Sequence, residues 1–449
     1  MPLLNSFVIW NNKGGVGKTT LTFHMSTEYA IRHPKQKILV IDLCPQANVS
    51  MALLALFGTK ELTRVPAEKS ISSYLHQVTN LKPLSVTNPG DFLIRVRDFN
   101  RSIPSNVFLL GGDAVNLELM APSLEQKRQK EISKESIFCY NPWVYITSCV
   151  RYFIEGFENM KGVATDPHSD WVVFIDTNPS FSIFTEMAIV AAQRLIIPTN
   201  ADDFSREAIK ATLSLVYGYT SDEKPGKFSD ETVTFSDKAA MFNVRLPKIC
   251  LIIQNRFTRY NGPAKAYSLM AESISEVVFS VYKSHKHLFE KKGLPEDVEK
   301  EYCAVLWDFH TVGVVALHNG RPLEDFACME ITVFDQVVSL KRSQIDKYKE
   351  YLQKLVTRLC PQTCYCKPAP VKLNCNKQWS LPMRTYPPPC LQVPPPPYPP
   401  PQYQGNSRMP MGAPPPPPSL WGPSPTPILV PLVHTILFQP TYNNGMGGF

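Results

Sequence analysis

The last 89 residues of the chain, from Pro361 onward, contain neither aspartate nor glutamate. They carry Lys367, Lys372, Lys377, Arg384 and Arg408, so of the formal charge of +7 only +2 belongs to residues 1–360. A strongly basic body of the histone kind is thereby excluded. Other absences narrow the compartment. No cationic stretch followed by an apolar core opens the chain, so no secretory leader is expected. The apolar run Ile428–Phe438 is broken by Pro431 and His434 and is too short to cross a bilayer. The body lacks paired cysteines: Cys44, Cys139, Cys149, Cys250, Cys303 and Cys328 stand singly, which fits a reducing cytosol rather than a disulfide framework. Cys360, Cys364, Cys366 and Cys375 do cluster, but no histidine lies among them and the spacing fits no common zinc module. The expectation is a soluble, cytoplasmic protein.

What the tail has instead is proline: 25 of the 42 prolines fall between Pro361 and Pro440. Such a segment loses backbone donors and shows no apolar period, so residues 361–449 read as a disordered proline-rich tail. Pro395-Pro396-Pro397-Tyr398 and Pro400-Pro401-Gln402-Tyr403 have the Pro-Pro-x-Tyr form that proline-recognising domains of WW type bind. The tail is therefore a spacer or a docking segment. Residues 1–360 form the globular part.

In that part, short β-branched apolar runs alternate with helical periods, the pattern of an α/β fold: a doubly wound, mostly parallel sheet flanked by helices. Strands are expected at Ser6–Trp10, Lys37–Ile41, Val107–Leu110, Trp171–Ile175, Arg194–Ile197 and Lys248–Gln254. Two stretches, about 58–106 and 125–170, read as inserts. The first is polar with little period; the second mixes a charged run with an aromatic helix candidate around Trp143–Phe157. Between about Ser339 and Cys360, Ile345, Tyr348, Leu352, Leu355 and Leu359 share one helical face.

The chemistry is concentrated after the first strand, in Asn12-Lys13-Gly14-Gly15-Val16-Gly17-Lys18-Thr19-Thr20. Strand, glycine-rich turn, Lys-Thr and helix make a phosphate-cradling P-loop in its required context. Glycines let successive backbone N–H groups converge on phosphate oxygens, and the helix N-terminus adds partial positive charge. Lys18 is placed to reach β/γ oxygens, and Thr19 to put its hydroxyl on Mg²⁺. A turn that merely redirected the chain would not require Lys-Thr-Thr at the helix start. Lys13 is a second lysine beside Lys18, a like-charge crowding that a bound polyanion relieves.

The run Lys-Gly-Gly-Val-Gly-Lys-Thr-Thr resembles the deviant Walker A motif of the ParA/MinD (Soj-like) P-loop ATPases. Further segments resemble that family in order. Asp42-Leu43-Cys44-Pro45-Gln46-Ala47-Asn48 is similar to its Asp-x-Asp-Pro-Gln-Gly-Asn motif, and Val107–Gly112 to the following strand. Trp171–Ser180 is similar to the Walker B strand with its Asp-Thr-Pro-Pro-Ser turn, and Arg194–Asn200 to the next strand. Ile252–Asn255 is similar to a strand ending in asparagine, and Gly320-Arg321-Pro322-Leu323, more weakly, to the last loop near the base. The resemblance covers about residues 5–345.

It implies ATP and Mg²⁺ as cofactors and hydrolysis of ATP to ADP and phosphate. Lys13, Gly14, Gly15, Val16, Gly17, Lys18, Thr19 and Thr20 would bind the nucleotide, with Asn255 on adenine. Thr19, Asp176 and Asp42 would serve the metal shell. Lys13, Lys18 and Asp42 would be catalytic, Lys13 reaching across an ATP-dependent homodimer. The resemblance further implies non-specific DNA binding, a ParB-like activating protein, nucleoid association and a role in plasmid or chromosome partitioning or cargo positioning. Candidate basic residues are Arg256, Arg259, Lys265, Lys283, Lys286, Lys291 and Lys292, with Lys341, Arg342, Lys347, Lys349, Lys354 and Arg358 on the last helix.

Two alternatives accompany this reading. One is a slow or inactive nucleotide switch that recruits partners through the tail. The other is a membrane-positioning ATPase of MinD type, attached through the amphipathic last helix. One departure bears on the first. Where the family motif has its second aspartate, credited with orienting the attacking water, this chain has Cys44, and a neutral thiol does not accept a proton as a carboxylate does. Either hydrolysis is slow and the ATP-bound dimer long-lived, or another carboxylate or an activating partner supplies the missing function.

Overall fold

The computed structural model describes residues 5–57, 66–80, 88–129, 141–157, 171–219, 233–257, 265–290, 298–307, 309–326, 330–333 and 336–359. The chain divides into two units, Met1–Leu381 and Pro382–Phe449, and every described residue lies in the first. The proline-rich tail, with its Pro-Pro-x-Tyr segments and clustered cysteines, lies outside the described residues.

Eight strands form one sheet: β1 (Asn5–Ile9), β2 (Lys37–Asp42), β3 (Ile94–Arg95), β4 (Val107–Leu110), β5 (Trp171–Asp176), β6 (Arg194–Asn200), β7 (Lys248–Phe257) and β8 (Cys303–Trp307). Their order is β3-β4-β2-β5-β1-β6-β7-β8. All neighbours pair parallel except β3, which runs antiparallel to β4 through Ile94↔Leu109 and Arg95↔Phe108. The six strands expected from the sequence are all present. A separate hairpin, β9 (Glu330–Val333) and β10 (Gln336–Ser339), follows.

The helices are α1 (Lys18–Arg32), α2 (Asn48–Leu53), α3 (Ile71–Asn80), α4 (Ala114–Arg128), α5 (Pro142–Thr147), α6 (Cys149–Gly156) and α7 (Ile183–Ala191). They continue with α8 (Asp203–Tyr217), α9 (Phe235–Met241), α10 (Lys265–Ser284), α11 (Val298–Tyr302), α12 (His310–His318) and α13 (Arg342–Thr357).

Alternation along the strands builds two apolar layers, one on each face. Val8, Leu39, Ile41, Val173 and Ile175 join one layer with α4, α6, α7, α8 and α10. Phe7, Ile9, Ile38, Val40, Val172 and Phe174 join the other with α1, α12 and α13. A strand buried on both faces reads as a continuous apolar run, which is why these strands are visible in the sequence. The short edge strands are not: β3 has two residues, and β8 is only partly buried.

The stretch 58–106, polar at first sight, contains α3, whose Ile71, Tyr74 and Leu75 are buried at helical spacing. The aromatic candidate at Trp143–Phe157 is two helices, α5 and α6, separated at Ser148. On α13, Ile345, Tyr348, Leu352 and Leu355, with Leu359 just beyond its end, are buried as their spacing predicts, in the layer shared with α1. That apolar face is occupied by the fold itself.

Candidate functional site

The C-terminal ends of β1, β2 and β5 bring the expected residues together. Ile9 and Asp42 both stand in register with Asp176, so the P-loop and two carboxylates meet at one end of the sheet, where ligands of open α/β folds bind. Asp42 and Asp176 are fully buried.

The loop takes its shape from two left-handed glycines, Gly15 (φ 69) and Gly17 (φ 86), a conformation costly for residues with a Cβ. Gly17 is also the N-cap of α1, whose first turn carries no acidic residue, leaving the positive end of the helix open to an anion. A Cβ on Gly17 would collide with the Asn255 side chain. Asn11 anchors the loop: its Nδ2 donates to the Pro198 carbonyl (2.7 Å) and its Oδ1 accepts from the Lys13 amide (3.0 Å).

Lys18 is buried and donates to the carbonyls of Asn11 (3.2 Å) and Lys13 (3.0 Å). Burial lowers its pKa to about 8, partly offset by Asp176. Thr19 Oγ1 donates to Asp176 Oδ2 (2.8 Å), and Thr22 Oγ1, one turn on, donates to Asp176 Oδ1 (3.1 Å). Burial and the charge of Asp42 push the Asp176 carboxyl above its ordinary range. A hydroxyl and a carboxylate thus stand side by side, an oxygen donor set suited to a small hard cation.

Asp42 is held differently. Its Oδ2 accepts from the Ser50 amide (3.0 Å) and hydroxyl (2.7 Å), and its Oδ1 from the Cys44 amide (3.1 Å). Ser50 Oγ in turn accepts from the Gly112 amide (2.8 Å). Asp42 therefore braces the start of α2 and the exit of β4, and burial raises its carboxyl. Cys44 is buried beside it; burial, then Asp42 and Asp176, push its thiol up to about 12, so it is uncharged at neutral pH.

Asn255, expected on a base, lies beside the loop, where its Nδ2 donates to the Val16 carbonyl (3.0 Å). Gly320, expected near the base, packs against Ala52, Ala55 and Asn100 and accepts from Asn100 Nδ2 (2.7 Å). Lys13 reaches Asp202, the N-cap of α8, at 2.5 Å, and lies over the exposed ring of Phe204. Asp202, Ser205, Ser50 and Thr22 were not singled out from the sequence. Signals existed for two of them: Asp202 has the N-cap pattern Asp-x-x-Ser, and Thr22 repeats Lys18 at helical spacing.

Residues 5–131 match the AAA_31 family, described as an AAA domain. An uncharacterized protein of Methanocaldococcus jannaschii, MJECL24, is 26% identical over 46% of this chain and 63% of its own length. An uncharacterized protein of Pseudomonas putida is 25% identical over 45% of this chain and 59% of its own. The chain thus spans less than two thirds of these relatives. Among solved structures, an ATP complex of Cyanothece McdA covers 81% of this chain and 100% of its own, with TM-score 0.50 and 15% identity, a likeness of fold. The chain thus has the fold of P-loop NTPases, and its Lys13-containing loop lies within the residues that are similar to the AAA_31 family.

Proposed function

We propose that this protein is an ATP-binding, ATP-hydrolysing dimerisation switch of ParA type, acting in DNA partitioning or cargo positioning through non-specific DNA binding. The observation that carries the reading is the juxtaposition of two lysines, Lys13 and Lys18, on one glycine-shaped loop with Thr19 bonded to Asp176. The loop amides, Lys18 and the α1 N-terminus would hold the phosphates of ATP; Thr19 and Asp176 would hold Mg²⁺, directly or through water. Bound there, the cation would polarise the γ-phosphate and offset the buried carboxylates Asp42 and Asp176. Lys13, released from Asp202, would meet the nucleotide of a second copy. A ParB-like protein would stimulate hydrolysis and release.

A slower switch is the second reading, and Cys44 supports it. A buried uncharged thiol stands where the motif carries a carboxylate, and Asp42 is engaged by Ser50 and Cys44. The membrane alternative draws less support, because the apolar face of α13 is buried in the body. Light scattering of the full chain in ADP and in ATP, with and without duplex DNA, tests the proposal. A dimer is expected in ATP with Mg²⁺ and a monomer in ADP; a mass independent of nucleotide would remove the mechanism.

A further inference from the structure

We propose that duplex DNA lies, through its phosphate backbone, against the arginine-bearing edge of the sheet formed by Arg95, Arg97 and Arg101. This location rests on the DNA-binding reading above and deepens it. Arg95 is on edge strand β3; Arg97 and Arg101 follow it. All three are exposed, and with Asp98 they line an open concavity of about 520 Å³. No carboxylate among the described residues forms an ion pair with any of them.

The basic residues of α13 are differently placed. Arg342 pairs with Asp346, Lys349 with Glu324 and Lys354 with Glu350. Arg358 donates to the carbonyls of Lys300, Glu301 and Cys303. Lys283, Lys286 and Lys347 lie over aromatic rings. Arg259, Lys291 and Lys292, and the side chains of Arg256 and Lys265, lie outside the description. Lys341, Arg206 and Arg245 are also exposed and meet no carboxylate among the described residues, but Arg95, Arg97 and Arg101 are distinguished by falling within seven consecutive residues and lining one concavity.

The edge is also held in place. Ile94, Val96 and Ile103 are buried on the core side. Asn100 donates to the Leu53 and Gly320 carbonyls and accepts from the Ser102 amide, pinning the backbone between Arg97 and Arg101 to the end of α2. Asn106 Nδ2 donates to the carbonyls of Ala30, His33 and Gln36, which ties the turn bearing exposed Lys35 to the segment that follows Arg101.

The chemistry selects a polyanion. Guanidinium groups donate in a planar fork that matches phosphate oxygens, and the concavity is open, with no apolar wall to enclose a small ligand. A membrane-lying surface needs a broad apolar face, whereas the segment's exposed large apolar residue, Phe99, is only 37% accessible.

The test uses the full chain with ATP and Mg²⁺ and a fluorescent duplex of arbitrary sequence. The triple variant Arg95→Ala, Arg97→Ala, Arg101→Ala is expected to bind about tenfold more weakly or worse, with a salt slope shallower by about 2–3, near 0.9 per lost phosphate contact. The corresponding Arg→Lys triple retains most of the binding, and ATP affinity is unchanged in both. Arg97→Ala alone makes the same comparison, with a smaller loss, if the triple variant does not fold. Equal DNA affinity of wild type and triple-alanine variant overturns the location while leaving the DNA reading intact. Absence of wild-type binding in ATP overturns both. Arginine-dependent flotation with anionic vesicles, with DNA affinity unaltered, assigns the edge to membranes and also overturns it.

Discussion

Lys13 Nζ stands 2.5 Å from both carboxylate oxygens of Asp202, a residue 189 positions away that also caps α8 through Ser205. The lysine that the deviant motif adds is thus engaged within its own chain. Burial works against the Asp202 charge, but Lys13 and Ser205 outweigh it and hold the carboxyl below its ordinary range. Transfer of Lys13 to a nucleotide across an interface requires this pair to open.

Asp202→Asn keeps a capping side chain and removes the charge. The pair is 22% and 37% exposed, so solvent screens it and its worth is about 0.2–1 kcal/mol. Each of the two copies opens its own pair, so ATP-dependent dimerisation is expected at up to about 30-fold lower protein concentration, the factor for about 2 kcal/mol. Light scattering across a dilution series checks this; an unchanged or weaker dimer counts against a restraining role.

Cys44→Asp restores a carboxylate beside Asp42. Turnover in a steady-state phosphate-release assay is expected to rise about tenfold or more, within the range that positioned general bases contribute. No increase would show that Cys44 does not limit hydrolysis.

Gly17→Ala combines a positive φ with a collision against Asn255. The backbone alone costs about 1–2 kcal/mol, and displacing the loop removes amides from the phosphate site. Binding of a fluorescent ATP analogue is expected to fall more than about tenfold. Asn255→Ala in the same chain relieves the collision but not the strain, so it restores binding only in part; wild-type affinity in Gly17→Ala would refute this geometry.

Ala47 caps α2 at φ 52, left-handed, where the resembling motif carries glycine. Ala47→Gly is expected to stabilise the fold by about 1 kcal/mol, read as a higher denaturation midpoint. A decrease would mean that the alanine methyl contributes more through packing than it costs in backbone strain.

His24, wholly buried on α1 between the rings of Phe23 and Phe309, is held neutral by burial, its pKa lowered to about 3. Its unfolded value is about 6.5, so between pH 6.5 and 3 the unfolded chain binds the extra proton. Stability is lost as pH falls through that window, by about 1.4 kcal/mol per unit from this residue. Urea midpoints at successive pH values should fall less steeply in His24→Leu than in wild type. Parallel slopes would mean that the ring gains access to water.

The P-loop was legible because its requirements are local: glycines with positive φ, a lysine and a threonine within nine consecutive residues, flanked by strand and helix. The central strands were legible because burial on both faces demands unbroken apolar runs such as Trp171–Ile175. β3 was not, because two residues carry no period. Which basic residues of α13 find a carboxylate also depended on neighbours, since the Glu324 that pairs with Lys349 lies outside the helix.

By itself, then, the sequence determined six of the sheet strands, the phosphate loop, the proline segregation and the apolar face of α13, all of which depend on short-range pattern. Tertiary structure decided that Asp42 faces Ser50, that Asn255 rests on Val16, that Lys13 finds Asp202, and that Arg95, Arg97 and Arg101 meet no carboxylate partner. Those outcomes follow from strand order, which sets distant segments side by side and decides which charges meet a partner.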